Sequence, residues 1–133
     1  MKQILFHQSK RLFATTAQKT YPKTFDKILI ANRGEITRRV INTCKKMGIK
    51  TVAIYSDADM HSMFVKEADE SYRIGPPPSK DSYLKMDTIL EVIKASGAQA
   101  VHPGYGFLSE NSLFQKLLQD NKVKFIGPPT KAI

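Results

Sequence analysis

The chain has 133 residues, 41% of them apolar, and a formal charge of +9. That length builds one domain around a single core, and no run approaches the roughly 20 apolar residues of a membrane helix. Five of the basic residues stand in the first 25 positions with no acid among them, which leaves +4 for the rest; with no RNP, zinc-finger or basic-zipper pattern, neither nucleic acid nor a membrane is an expected partner.

The opening segment, MKQILFHQSKRLFATTAQKTYPKTF, is acid-free and hydroxyl-rich. In a helix Ile4, Leu5, Leu12 and Phe13 would share one face, with Lys and Arg elsewhere. This composition fits a mitochondrial transit peptide over residues 1–24, removed on import to the matrix. A basic tail without an address is the alternative. A secretory signal fits less well, because ILF is too short an apolar core.

From Phe25 onward short apolar runs alternate with helical patterns. KILIA (27–31) is a buried-strand pattern. EITRRVINTCKKMG (35–48) is a helix, with Ile36, Val40, Cys44 and Met47 at helical spacing and Gly48 as its stop. KTVAIYS (50–56) is a second strand and HSMFVKEAD (61–69) a short helix. SYRIG (71–75) is a third strand, followed by the stiff loop GPPPSKDS. SYLKMDTILEVIKASG (82–97) is a helix with Leu84, Ile89, Val92 and Ile93 facing inward. AQAVH (98–102) is a fourth strand. SENSLFQKLLQDN (109–121) is a helix capped by Ser109, and VKFIG (123–127) is a fifth strand. Strands and helices alternate throughout and the strands are continuously apolar. The expected fold class is α/β: a parallel sheet with helices on both faces.

In open parallel sheets, ligands bind beyond the carboxyl ends of the strands. Two turns stand there. In Asn32-Arg33-Gly34-Glu35, Gly34 permits a tight turn, Glu35 suits the helix dipole and Arg33 can meet an anion. Asp57 and Asp59 follow the second strand, where a dinucleotide-binding domain would hold ribose. The turn nevertheless has one glycine where the G-x-G-x-x-G pattern needs several, and the two aspartates read better as loop and cap residues. The second turn is His102-Pro103-Gly104-Tyr105-Gly106-Phe107. Its glycines permit positive φ or close backbone approach, and Tyr105 offers a flat ring and a hydroxyl. Tyr105 either faces a ligand or packs on a neighbouring domain; local chemistry leaves both open.

Catalytic machinery is missing. There is no Ser-His-Asp set, Walker loop or HExxH, and no catalytic residue is assigned. Glu67, Asp69 and Glu70 cluster at a helix end, where solvation is the usual state. His7, His61 and His102 are scattered, so no metal site is expected. Cys44 is the only cysteine, which excludes an internal disulfide, and it fits a small buried hydrophobe.

KILIANRGEI, CKKMGIKTVAIYSDAD, IGPPPSKDSYLKMD and AVHPGYGFLSEN, with FIGP after them, resemble the amino-terminal domain of biotin carboxylases. These are the ATP-dependent components of biotin enzymes. Within the family the wording is most similar to the alpha subunits of mitochondrial propionyl-CoA carboxylases, with the methylcrotonyl-CoA enzymes second. The resemblance runs from about Phe25 to Ile133. It implies a Rossmann-like domain over 25–133 that is followed, in a complete enzyme, by an ATP-grasp domain and a biotin-carrier domain. Those would supply the groups for ATP, Mg2+ and bicarbonate, and the carboxyltransferase subunit would be a partner. The implied reaction activates bicarbonate with ATP and carboxylates biotin. Gly104, Tyr105 and Gly106 would line the cleft near biotin. Arg39 matches a subunit-contact position, so homo-oligomer contacts are implied, although Asn42 and Lys46 depart from the bacterial pattern. Thr37 stands where the family commonly has Ala, and Phe64 where it commonly has His. The chain alone is expected to be inactive and to bind none of these cofactors tightly. A stand-alone nucleotide-binding module, or a truncated chain that only associates with carboxylase subunits, is the alternative.

Overall fold

A computed structural model describes residues 24–129. The expected transit segment, Thr24 apart, and the last four residues lie outside the described residues. Five strands form one parallel sheet: β1 (Lys27–Ile30), β2 (Lys50–Ser56), β3 (Glu70–Gly75), β4 (Ala100–His102) and β5 (Lys124–Phe125). Their order is β3-β2-β1-β4-β5. Four helices join them: α1 (Gly34–Met47), α2 (Met63–Glu67), α3 (Met86–Ser96) and α4 (Ser112–Asp120). Among the described residues no helix is long and apolar enough to cross a membrane.

Strand alternation divides the core into two layers. Leu29, Val52, Ile54 and Val101 point to the face covered by α3 and α4, where they meet Ile89, Val92, Ile93, Phe114 and Leu118. Ile28, Ile30, Ala53 and Ala100 point to the other face, against Ile41 and Cys44 of α1 and Phe64 of α2. Each large side chain buried in this way contributes about 1.5–3 kcal/mol. The expected parallel sheet with helices on both faces is the fold observed.

Helix α1 carries Glu35 in its first turn and Lys45 and Lys46 in its last, the arrangement its dipole favours. It ends at Gly48, which is left-handed and donates its N–H to the carbonyls of Cys44 and Lys45. Its buried stripe is Thr37, Ile41 and Cys44. Ile36, Val40 and Met47, expected to face inward, are only half-buried. The stripe is rotated because α1 packs against both the sheet and α2. The Thr37 hydroxyl is fully buried with no hydrogen-bond partner, a cost of about 1–3 kcal/mol.

Two helices start three or more residues later than their sequence patterns indicate, and α2 starts two later. α3 begins at Met86 rather than Ser82. A 3-10 turn at Ser79–Asp81 precedes it, Ser82 Oγ donates to the Pro78 carbonyl, and Tyr83 is drawn into the interior by its hydroxyl. Leu84 is consequently 40% exposed, not inward. α4 begins at Ser112, and Asn111 rather than Ser109 caps it, accepting from the Phe114 N–H at 2.9 Å. The three left-handed residues Gly104, Gly106 and Phe107 keep the chain turning, and the Ser109 N–H instead closes on the Gly106 carbonyl.

Candidate functional site at the strand switch point

Strands β1 and β4 are neighbours, with Ile30 in register with His102. β1 leads into α1 on one face of the sheet and β4 leads into α4 on the other. Between their carboxyl ends the connections diverge, and this divergence opens the crevice in which doubly wound sheets bind ligands. The two turns singled out in the sequence, Asn32–Glu35 and Pro103–Phe107, stand side by side here.

Asn32 joins them. It is 2% exposed. Its Nδ2 donates to the carbonyls of Pro103 at 2.9 Å and Tyr105 at 2.6 Å, and its Oδ1 accepts from the Arg33 N–H at 2.8 Å. Gly104 lies against this amide: a Cβ there would stand 2.6 Å from Nδ2. Gly104 is therefore needed for Asn32 as well as for its left-handed backbone. Gly106 is left-handed but has open space where a Cβ would point, so only conformation requires it.

Arg33 does meet an anion, but the anion belongs to the protein. Its Nε and Nη2 donate to the two carboxylate oxygens of Asp59 at 2.6 and 2.5 Å. Tyr83 OH donates to Asp59 Oδ2 at 2.5 Å and accepts from the Ser56 N–H at 3.1 Å. Arg33 holds the Asp59 carboxyl below the usual carboxylate range, and Tyr83 adds to this. Burial pushes the Tyr83 hydroxyl up to about 12, and the bond to Asp59 adds to the shift. Such a bidentate pair fixes both side chains. Both Asp59 oxygens are engaged and the residue is buried, which closes it to ribose, and Asp57 is engaged with Arg73 on the surface. The Tyr83 ring also stacks on Phe107, with centroids 5.1 Å apart. The turns are thus joined twice, through Asn32 and through the series Arg33, Asp59, Tyr83 and Phe107.

Above this brace lies a recess of about 420 Å³ bounded by Asn32, Arg33, Gly34, Glu35, Tyr105, Gly106 and Phe107. Tyr105 stands at its rim, 71% exposed. His102 is half-buried behind the turn and its Nδ1 accepts from the Gly104 N–H at 3.1 Å. Burial holds its pKa down, which favours the neutral ring that this bond requires. Arg39 is apart from the recess, on the exposed side of α1, 3.6 Å from Glu35. The carboxylates near α2 are engaged rather than simply solvated: Glu67 bonds Arg38, Asp69 accepts from the Thr51 N–H, and Glu70 pairs with Lys27. Among the described residues no group of three or more His, Cys, Asp or Glu could hold a metal ion.

The sequence pointed to the turns but not to Asp59 as their support, nor to Tyr83. The available signal was the pair of aspartates directly after a buried strand, which in a closed site need a cationic partner. The recess can hold a planar polar group against an aromatic ring and fixed backbone. It offers no paired nucleophile and base.

Fold and site together define an open α/β domain with a recess between the two turns at its strand switch point. The chain belongs to the biotin carboxylase N-terminal domain family, whose model matches residues 24–133. The propionyl-CoA carboxylase alpha chain of Rattus norvegicus, a mitochondrial protein, is 67% identical over 111 residues, covering 84% of this chain and 15% of the relative. The methylcrotonoyl-CoA carboxylase subunit alpha of Mus musculus is 61% identical over 107 residues, covering 80% and 15%. Among solved structures, the urea carboxylase of Kluyveromyces lactis superposes with a TM-score of 0.82 at 46% identity, covering 84% of this chain and 10% of that one. The biotin carboxylase domain dimer of Hydrogenobacter thermophilus 2-oxoglutarate carboxylase, solved with MgADP, ADP and bicarbonate, gives 0.79 at 48% identity, covering 84% and 24%. The chain therefore spans only about 15% of the length of the acyl-CoA carboxylase relatives it matches.

Proposed function

We propose that this domain forms one wall of the biotin-carboxylating site of an acyl-CoA carboxylase, of the propionyl-CoA type first and the methylcrotonyl-CoA type second. The observation that carries the reading is Tyr105, exposed at the rim of a recess whose walls are braced from beneath. A ring held in that way can bind and orient the flat ring system of biotin, and Gly106 leaves the adjacent space open. In the complete enzyme ATP, Mg2+ and bicarbonate supply the activated carboxyl group, and biotin receives it. This domain contributes orientation, which is worth several kcal/mol in a two-substrate reaction. The groups that hold ATP and metal belong to the ATP-grasp domain. The biotin-carrier domain and carboxyltransferase subunit complete the assembly. Arg39, exposed on α1, is the candidate for contact with a second carboxylase subunit. Residues 1–24 act as a mitochondrial transit peptide, a reading supported by their composition and by the mitochondrial relatives.

The test places residues 24–133 in the complete rat propionyl-CoA carboxylase in place of the matching segment. Tyr105→Ala is expected to raise the KM for free biotin or lower the turnover of its carboxylation, while bicarbonate-dependent ATP cleavage without biotin changes much less. Parallel loss of both activities with a lowered Tm would make Tyr105 a packing residue and sink the reading. The 133-residue chain alone is expected to show no bicarbonate-dependent ATP cleavage; activity above a denatured control would favour a stand-alone nucleotide-binding module.

A further inference from the structure

The Asn32 carboxamide has one orientation open to it. Asparagine carries two N–H donors and one carbonyl acceptor. Here both donations from Nδ2 go to main-chain carbonyls, Pro103 and Tyr105, and Oδ1 takes a main-chain N–H from Arg33. Reversing the amide would set Oδ1 against two carbonyl oxygens and Nδ2 against an N–H. Aspartate has the same shape but would present a carboxylate oxygen to those carbonyls. Glutamine would add a methylene to a site that is already buried. Gly104 completes the fit, because any Cβ there collides with the amide. The Tyr105 ring is largely exposed, so its place over the recess is set by its own backbone, and Asn32 holds that backbone through the Tyr105 carbonyl.

We propose that Asn32 is the positioning residue of this site: its buried carboxamide ties the turn after β4 to the turn after β1 and fixes where Tyr105 stands over the recess. Asn32 touches no reacting atom; it acts through Tyr105. The kinetic consequence rests on the biotin reading above, whereas the tether itself does not.

Two measurements separate them. In the 133-residue chain, the two side-chain amide protons of Asn32 should exchange with solvent at least about 100-fold more slowly than those of the exposed Asn42. Asn32→Asp should shift the amide resonances of Gly104 to Phe107 far more than those of α3. Equal exchange rates at Asn32 and Asn42 would overturn the proposal, and this measurement on the unsubstituted chain decides the matter even where the variant does not fold. In the complete carboxylase carrying residues 24–133, Asn32→Asp should raise the KM for free biotin about tenfold, the scale of losing one to two net hydrogen bonds, with biotin-independent ATP cleavage within about twofold. Tyr105→Ala added to Asn32→Asp should cost much less than Tyr105→Ala alone, since the ring is already misplaced. Fully additive losses would overturn the positioning role. Slow Asn32 exchange together with an unaltered KM for free biotin and an unaltered turnover of its carboxylation in Tyr105→Ala would support the tether and sink the biotin reading.

Discussion

Asp59 shows how one side chain can decide the shape of a site it does not line. It lies beneath the recess, closed from solvent, with Arg33 on both its oxygens and Tyr83 on one. A buried carboxylate is tolerated only with such partners. Its pKa is depressed, chiefly by the Arg33 hydrogen bonds. A depressed native pKa means that stability is fully present above the unfolded value, about 3.9, and is lost as pH falls through the native one. Asp59→Asn is therefore expected to lower stability by about 1–3 kcal/mol at neutral pH, because Arg33 loses its charged partner. The deficit should shrink as pH falls below the ordinary carboxylate range, where the wild-type carboxyl takes up its proton. Asp57 and Glu70 are depressed as well, by Arg73 and Lys27. The informative quantity is thus the difference between variant and wild type, read as urea midpoints across the acid range. A constant difference at every pH would mean that Asp59 is not the titrating link.

At the scale of elements, three glycines in two of the loops around the site each have a different reason to be there. Gly75 ends β3 with φ of 153°, and a Cβ would stand 2.2 Å from the Asp81 carbonyl oxygen. Gly104 would drive a Cβ into the Asn32 amide, whereas Gly106 would meet nothing within 4 Å. Alanine at Gly106 is expected to cost about 1–2 kcal/mol, the left-handed penalty alone. Alanine at Gly104 should cost more, and at Gly75 more than about 3 kcal/mol, because main chain has to move. Chemical denaturation of the three variants gives the order; equal losses would mean that conformation alone governs these turns. The same elements show what was legible beforehand. β2 was readable because its apolar run, residues 52–55, stands between polar residues at both ends, and Gly48 marked the end of α1 by its lack of a Cβ. Both switch-point turns were found, since glycine and aromatic residues at strand ends are local signals. The starts of α3 and α4 were not, because Tyr83 and Asn111 are placed by partners rather than by periodicity. The tie from Asn32 to Tyr105 spans 73 residues, and the buried contact that selects it has no local pattern. The resemblance to a family named the turns but gave no reason for Asn32 or Asp59.

For the molecule as a whole, Cys44 offers a test of whether the two core layers unfold together. It sits where α1 meets the sheet, among Ile28, Ile49 and Ala100. Beside it lies a mostly apolar groove of about 350 Å³, bounded by Phe25, Val40, Met47 and Ile126 among others. Burial, helped by the charge of Asp69, pushes the thiol up to about 11. At pH 8 the native thiol is therefore both neutral and enclosed, whereas in the unfolded chain it titrates near its ordinary value and is reached freely. As the only cysteine in the chain, it makes labelling report one position without ambiguity. If the layer under α1 opens only with the rest of the domain, native labelling should be slowed roughly a thousandfold or more relative to the unfolded chain. Its rate should then rise with urea along the slope of global unfolding. If α1 detaches alone through the neighbouring groove, the rate should be much faster and nearly independent of urea, as expected of a local opening that exposes little surface. Global behaviour is expected, because the opposite end of α1 is anchored by Arg33 to Asp59 and through Asn32 to the turn after β4. Labelling of the Asp59→Asn variant supplies the decisive comparison. If it alone shifts to the urea-independent regime, the brace under the recess is also what fastens α1 to the sheet.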